Sequence, residues 1–129
     1  MITVNHGYKV RGINLARDFS RFPAGRYRQD GEWSGQRFRE DILEPSLRAN
    51  ELTSVVIGGT VAGIPSSFID EAFGGLVRES GFTYKYLRSH LMIVSTSNLY
   101  DEYVRQSWQS IEESWDTQEN EGRYGYGCN

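Results

Sequence analysis

An α/β fold is predicted for this 129-residue chain by three observations. Leu52 to Ile57 is apolar or β-branched at nearly every position and stops at Gly58-Gly59, the pattern of a strand covered on both faces. Phe68, Ala72, Phe73, Leu76 and Val77 follow offsets of four, one, three and one, which places them along one side of a helix. A further buried run, Leu91 to Ser95, precedes a third apolar periodicity, Leu99, Val104, Trp108, Ile111 and Trp115. Strand and helix patterns that alternate along a chain belong to helices packed on a sheet.

The elements follow in order. Ile2 to Val4 and Val10 to Leu15 read as short strands joined around His6 and Gly7. Phe19 to Gly35 is a long polar connection punctuated by Pro23, Gly25, Gly31 and Gly35, and connections of this length are usually functional or mobile. Ser34 is placed as the N-cap of a helix whose apolar face is Phe38, Ile42, Leu43 and Leu47, and Pro45 is expected to kink or end it. Leu52 to Ile57 is the central strand. The helix through Phe68 to Val77 ends near Gly81. Gly74 and Gly75 inside it each cost about 1 kcal/mol of helix propensity relative to alanine, so a close approach of that helix to the sheet or to a partner is expected there. Tyr84 to His90 reads as a short helix, Leu91 to Ser95 as a strand, and the terminal helix begins near Ser97 or Asn98. Residues 1–115 make a single domain. Residues 116–129, with Gly122, Gly125 and Gly127, lack apolar content and are expected to form a disordered polar tail.

Composition narrows the function. At 38% hydrophobic, with no apolar run approaching about 18 residues and no signal-peptide layout at Met1 to Tyr8, a cytoplasmic, non-membrane protein is expected. The lone Cys128 forms no intramolecular disulfide. Net charge is -3, distributed as nine basic against six acidic residues in 1–50 and two against seven in 98–129. The arginines of the first segment interleave with Asp18, Asp30, Glu32, Glu40 and Asp41, which favours a salt-bridged surface over nucleic-acid binding. His6, His90 and Cys128 lack metal-ligand spacing, no G-x-S-x-G elbow supports a triad from Ser66 and His90, and Gly58, Gly59 and Gly63 lack a Walker ending. No enzyme activity, cofactor or metal is expected.

Two constellations carry candidate chemistry. Ser66 and Ser67 lie between the central strand and the following helix, where unpaired N–H groups and the helix dipole favour negative charge. Ser67 and Asp70 have the S-x-x-D spacing of a capping box, with Pro65 fixing the incoming chain, and either serine is a candidate phosphoacceptor. Ile64, Pro65, Phe68 and Glu71 are placed at a partner-docking surface around them. The second constellation is an anion site from Gly25, Arg26, Ser34, Gly35 and Arg37, in which a helix N-terminus and a guanidinium fork would hold a small ligand or nucleotide. The alternative is a tied-down loop in which Arg26 pairs with Asp30 or Glu71.

Phe22-Pro23-Ala24-Gly25-Arg26, Asp30-Gly31, Ser34 to Glu40, Leu43-Glu44-Pro45 and Ser66 to Leu76, spread over about Phe19 to Ile111, resemble a family of STAS-like domains of unknown function. That family is related in outline to the domain of sulfate transporters and anti-sigma-factor antagonists. The resemblance implies a STAS-like sandwich, a mixed sheet covered mainly on one face by about three helices. In anti-sigma-factor antagonists the turn reads Asp-Ser-Ser-Gly, and its first serine is phosphorylated by a partner ATPase resembling histidine kinases. Ser66 takes that position here, with Pro65 in place of the aspartate and Phe68 in place of the glycine, so that a carboxylate is lost and bulk is added beside the acceptor. The resemblance therefore implies a bacterial or phage regulatory module that binds a protein partner through residues 64–68 and the exposed face of the next helix. The alternatives are the ligand-binding domain built on Arg26 and Ser34, and a phage or mobile-element accessory protein that inhibits a host complex.

Overall fold

The computed structural model describes the backbone of residues 8–127 and the side chains of residues 8–122. Strands β1 (Val10–Asn14), β2 (Leu52–Ile57) and β3 (Leu91–Ser95) lie side by side in that order. Every described pairing is parallel, Ile13 opposite Val55 and Val55 opposite Ile93. Among the described residues the sheet is parallel, because each described connection returns through helices instead of a hairpin, and nothing described there makes it the mixed sheet that the resemblance implies. The expected strand at Ile2 to Val4 lies outside the described residues.

Right-handed crossovers that advance steadily in one direction put all their helices on one face of a sheet. Burial agrees: Ile13, Thr53, Val55, Ile57, Leu91 and Ile93 are buried, whereas Val10, Met92 and Val94 on the other face are exposed. Only one face of β2 is fully covered, with Leu52, Ser54 and Val56 half-buried, so its apolar run does not mean helices on both sides. Thr53 reaches the covered face with its hydroxyl 2.7 Å from Ser46 Oγ, which satisfies both buried groups.

Helix α1 (residues 35–49) starts at Ser34, whose side chain accepts from the Arg37 N–H as expected of an N-cap. Two α-helical turns, Gly35–Phe38 and Glu44–Ala49, flank a π turn at Arg39–Leu43. Pro45 does not end the helix. It sits in the first turn after the wider one, where the altered hydrogen-bond pattern accommodates its missing N–H, and the helix runs on to Ala49.

Helix α2 (residues 66–78) has the same construction, with a π turn at Asp70–Gly74 between Ser66–Ile69 and Gly75–Arg78. Phe68, Ile69, Ala72, Phe73, Leu76 and Val77 are all buried against the sheet and α1. The Phe38 and Phe68 rings lie 6.1 Å apart, and Phe19 closes on Phe38 at 5.1 Å, so an aromatic cluster joins both helices to the turn after β1. A Cβ on Gly35 would stand 2.4 Å from the Phe68 carbonyl oxygen, which restricts that position to glycine.

Helix α3 (Tyr84–His90) leads into β3, and a 3₁₀ turn at Asn98–Tyr100 precedes α4 (Asp101–Gly127). Leu99, expected on the inner stripe of the last helix, is in the turn ahead of it and is 85% exposed. The inward residues of α4 are Ser107, Ile111 and Ser114, with Tyr103, Val104, Trp108 and Trp115 half-buried around them. The helix does not stop at Trp115, where the polar tail is expected; it continues to Gly127. Buried Ser114, bonded at 2.7 Å by Arg78, anchors the helix beside the start of that segment, and Gln109–Glu113 pairing at 2.9 Å supports its solvent side.

Gly35→Ala is expected to lower unfolding stability by about 1–3 kcal/mol, because the added methyl meets backbone instead of a movable side chain. A two-state urea denaturation of variant and parent measures it, and an unchanged midpoint would contradict the close approach of α1 and α2.

Candidate functional site

The serine pair occupies the turn that carries the chain from β2 into α2, at the edge of the sheet where the strands end. Pro65 is the N-cap, with extended ψ of 144° and its carbonyl accepting from Phe68 N–H at 3.1 Å and Ile69 N–H at 3.3 Å. Ser66 and Ser67 are thus the first two helical residues. Ser67 is not the cap that its spacing to Asp70 implies, because Pro65 occupies that place and Asp70 turns instead toward Arg26 and Arg78. Ser66 is exposed and Ser67 half-exposed, and neither hydroxyl is hydrogen-bonded among the described residues. The approach to the turn is fixed by two tyrosines near the start of α4: Tyr103 Oη accepts from the Ile64 N–H at 3.2 Å, and Tyr100 Oη reaches the Thr60 carbonyl at 3.4 Å.

Three residues expected to dock a partner are turned inward. Ile64, Phe68 and Glu71 are buried, and only Pro65 of that set is exposed. Phe68 points into the aromatic core, so it adds no bulk beside Ser66. From Glu71 to Val77 every residue of α2 is buried, which leaves no continuous outer face on that helix for a second protein. His90 is remote from Ser66: it ends α3 just before β3 begins, at the opposite edge of the sheet, with its ring stacked 3.9 Å from Tyr86 and Nδ1 donating to the Tyr86 carbonyl.

The loop before α1 is tied down. Gly25, at φ 93°, turns the chain so that its carbonyl accepts from Gly35 N–H, and the Arg26 carbonyl accepts from Gln36 N–H, each at 3.0 Å. Ser34 Oγ takes the Arg37 N–H at 3.1 Å, and Ser34 itself is fully buried. The donors of this helix N-terminus are therefore consumed internally, and the expected anion site has none to offer. Arg37 lies over Trp33 at 4.8 Å and donates to the Glu32 carbonyl. Arg26 bonds Asp70 at 2.7 Å and Glu71 at 3.4 Å, so Asp70 joins the pairing expected with Glu71, and Asp30 instead accepts from the Tyr27 N–H.

Sequence reasoning missed the network to which Arg26 belongs. Buried Arg39, on the π turn of α1, donates to Glu71 Oε2 at 2.6 Å and to the Glu71 carbonyl at 2.7 Å. Arg78 binds Asp70 at 3.2 Å and Ser114 at 2.7 Å. Three arginines thus converge on two adjacent acids in the π turn of α2. Gly74 and Gly75 make this possible: a Cβ on Gly75 would meet Arg39 Nη1 at 2.0 Å, and one on Gly74 would meet Arg78 Nη1 at 2.5 Å. The close approach at the glycine pair is therefore made by the guanidinium groups of Arg39 and Arg78, not by the sheet or a partner as expected. The signal in the sequence was Asp70-Glu71 inside an otherwise apolar helix with Gly-Gly one turn later. Burial pushes the Asp70 carboxyl up, but the bonds and charges of Arg26 and Arg78 outweigh it and hold its pKa below the ordinary value. A cleft of about 560 Å³ opens beside the network, lined by Glu40, Glu44 and Ser80 as well as the arginines. Each of those arginines is already matched to a carboxylate. Among the described residues no cluster of His, Cys, Asp and Glu could hold a metal ion, and no helix is long and apolar enough to cross a membrane.

With the turn, the helical layer and the parallel sheet placed, comparison with known families becomes specific. The family model for the STAS-like domain of unknown function (DUF4325) matches residues 34–101, from the N-cap of α1 to the first residue of α4, and the chain belongs to that family. The matched stretch holds the π turns of α1 and α2 and the serine pair but leaves out the loop Phe22 to Gly31. No curated protein and no solved structure matches the chain.

Glu71→Gln is expected to cost about 3–5 kcal/mol in urea unfolding, because it leaves the Arg39 charge buried without its counter-ion. Glu40→Gln, at the exposed rim of the same network, should cost under about 1 kcal/mol. The pH dependence has a definite sign. A carboxyl more acidic in the folded than in the unfolded state stabilises fully above the ordinary carboxylate range, about pH 4–5, and loses that contribution as pH falls through its lowered pKa. Acid unfolding monitored by circular dichroism should therefore be less steep for Asp70→Asn than for the parent, and equal slopes would contradict the pairing.

Proposed function

We propose that the protein is a non-enzymatic regulatory module that binds a protein partner and is switched by phosphorylation of Ser66. The observation that carries this reading is the state of the turn: Ser66 is exposed, its hydroxyl has no bond among the described residues, and Pro65 rather than a serine caps the helix. An esterified Ser66 would thus give up no structural hydrogen bond. A phosphate there adds about -1.5 to -2 charge at the positive end of α2, where free N–H groups and the dipole favour it. The turn lies within residues 34–101, the stretch that the STAS-like family model matches.

The expected modifying partner is an ATPase of the histidine-kinase-like class. Docking residues shift relative to the sequence expectation, from the buried Ile64, Phe68 and Glu71 to Pro65, Ser66 and the half-exposed Ser67. The ligand-binding alternative loses its support, because the helix donors at Ser34 and the guanidinium of Arg26 are engaged within the fold.

The test is transfer of label from radioactive ATP by a purified histidine-kinase-like ATPase from the same cells. Ser66→Ala should abolish labelling and Ser67→Ala should retain it. A parent protein that takes no label, or a Ser66→Ala variant that labels like the parent, would reject the switch.

A further inference from the structure

Each of the three described strands is followed by a segment that exposes one large apolar side chain: Phe22 in the bend after the π turn Leu15–Phe19 that follows β1, 60% exposed, Val61 after β2, 55% exposed, and Leu99 after β3. The turns are joined. Val61 N–H donates to the Arg21 carbonyl at 2.8 Å, and the Tyr100 hydroxyl reaches the Thr60 carbonyl, so the three side chains share one edge of the sheet with Val61 in the middle. Three exposed apolar groups held on adjoining turns form a patch, unlike scattered single residues that require no explanation.

Charge is distributed across that patch with a sense. Exposed Arg21 lies on the β1 side and exposed Asp101, which accepts from Ser95 Oγ, lies on the β3 side. From these observations we infer that the patch binds a second copy of this chain about a two-fold axis normal to the sheet and passing beside Val61. That axis exchanges left and right, so Arg21 of each copy faces Asp101 of the other while the apolar centres meet. A two-fold axis along the row of strands would instead oppose Arg21 to Arg21. An isologous contact must be complementary to itself, and a surface running basic, apolar, acidic satisfies that condition in one orientation only. The inference does not rest on phosphorylation of Ser66.

Sedimentation equilibrium of the full chain over a range of concentrations tests it. The apparent mass should rise with concentration toward twice the 14.8 kDa of the chain. Leu99→Asp and Val61→Asp, both at exposed positions and checked for folding by circular dichroism, should remain at the monomer mass. Arg21→Glu should weaken association, and the double variant Arg21→Glu with Asp101→Arg should restore it, as only opposed charges would. A parent that stays monomeric at every concentration overturns the inference, as does a dimer unaffected by Leu99→Asp. A dimer broken at Leu99 but not restored by the charge exchange overturns the orientation.

Discussion

The buried ion pair between Arg39 and Glu71 is the constraint around which the helical layer is arranged. Both charges lie beneath the surface on facing helices, and each sits in or beside a π turn that widens the helix locally. Such a pair is weak as a source of stability, because removing two charges from water costs nearly as much as their attraction returns. Its consequence is register. Sliding α1 by one turn along α2 would leave a guanidinium and a carboxylate buried without partners, a state costing several kcal/mol, whereas an apolar contact would tolerate the slide far better. The absence of side chains at Gly35, Gly74 and Gly75 completes the arrangement, since a methyl at any of them would occupy the space of a carbonyl or a guanidinium.

That register determines where the serine turn is presented. α1 and α2 share the aromatic cluster of Phe19, Phe38, Phe68 and Phe73, which holds the first turn of α2 to the sheet side. With Phe68 inward, the helical rotation leaves Ser66 outward at the strand ends. Tyr100 and Tyr103 fix the loop before it from the other side. Neither charged network nor aromatic cluster touches the Ser66 hydroxyl, so the modification proposed there would add charge without dismantling the core.

The elements with a period of their own were legible. The positions of β2 and β3, the Phe68 to Val77 stripe and the Ser34 cap all follow from local pattern, because each depends on neighbours within one turn or one pleat, whereas the face of β2 left open does not. What spacing did not reveal depends on contacts between segments far apart in the chain. Ser67 and Asp70 match a capping box by number, but the demand of Arg26 and Arg78 for a carboxylate draws Asp70 away, and Pro65 already ends the extended chain. Phe68 shows a different error: it opens the apolar stripe, and a side chain committed to the core cannot also contact a partner. The Gly-Gly pair signals a close approach, yet of the two approaching guanidinium groups the one from α1, Arg39 at Gly75, lies far away in the chain and has no local signature. The terminal helix outlasts its apolar stripe for a related reason, since the Arg78 bond to Ser114 anchors it from another element.

The phosphate proposed for Ser66 and the second copy inferred at the apolar edge would be coupled by position, because both sites lie at the end of the sheet where the strands finish. In a two-fold pair across that edge, the Ser66 of each chain would lie at the same end of the sheet as the interface, and phosphorylation would add a charge of about -1.5 to -2 there on each chain. Repulsion would favour separation. Linkage makes the effect reciprocal: to the extent that the phosphate weakens self-association, self-association disfavours the phosphorylated state by the same free energy. The turn would then be most available for modification when the apolar edge is free. Salt screens exposed charges separated by more than about 8–10 Å, so the strength of this coupling would fall as ionic strength rises, while the apolar contribution of Phe22, Val61 and Leu99 would persist.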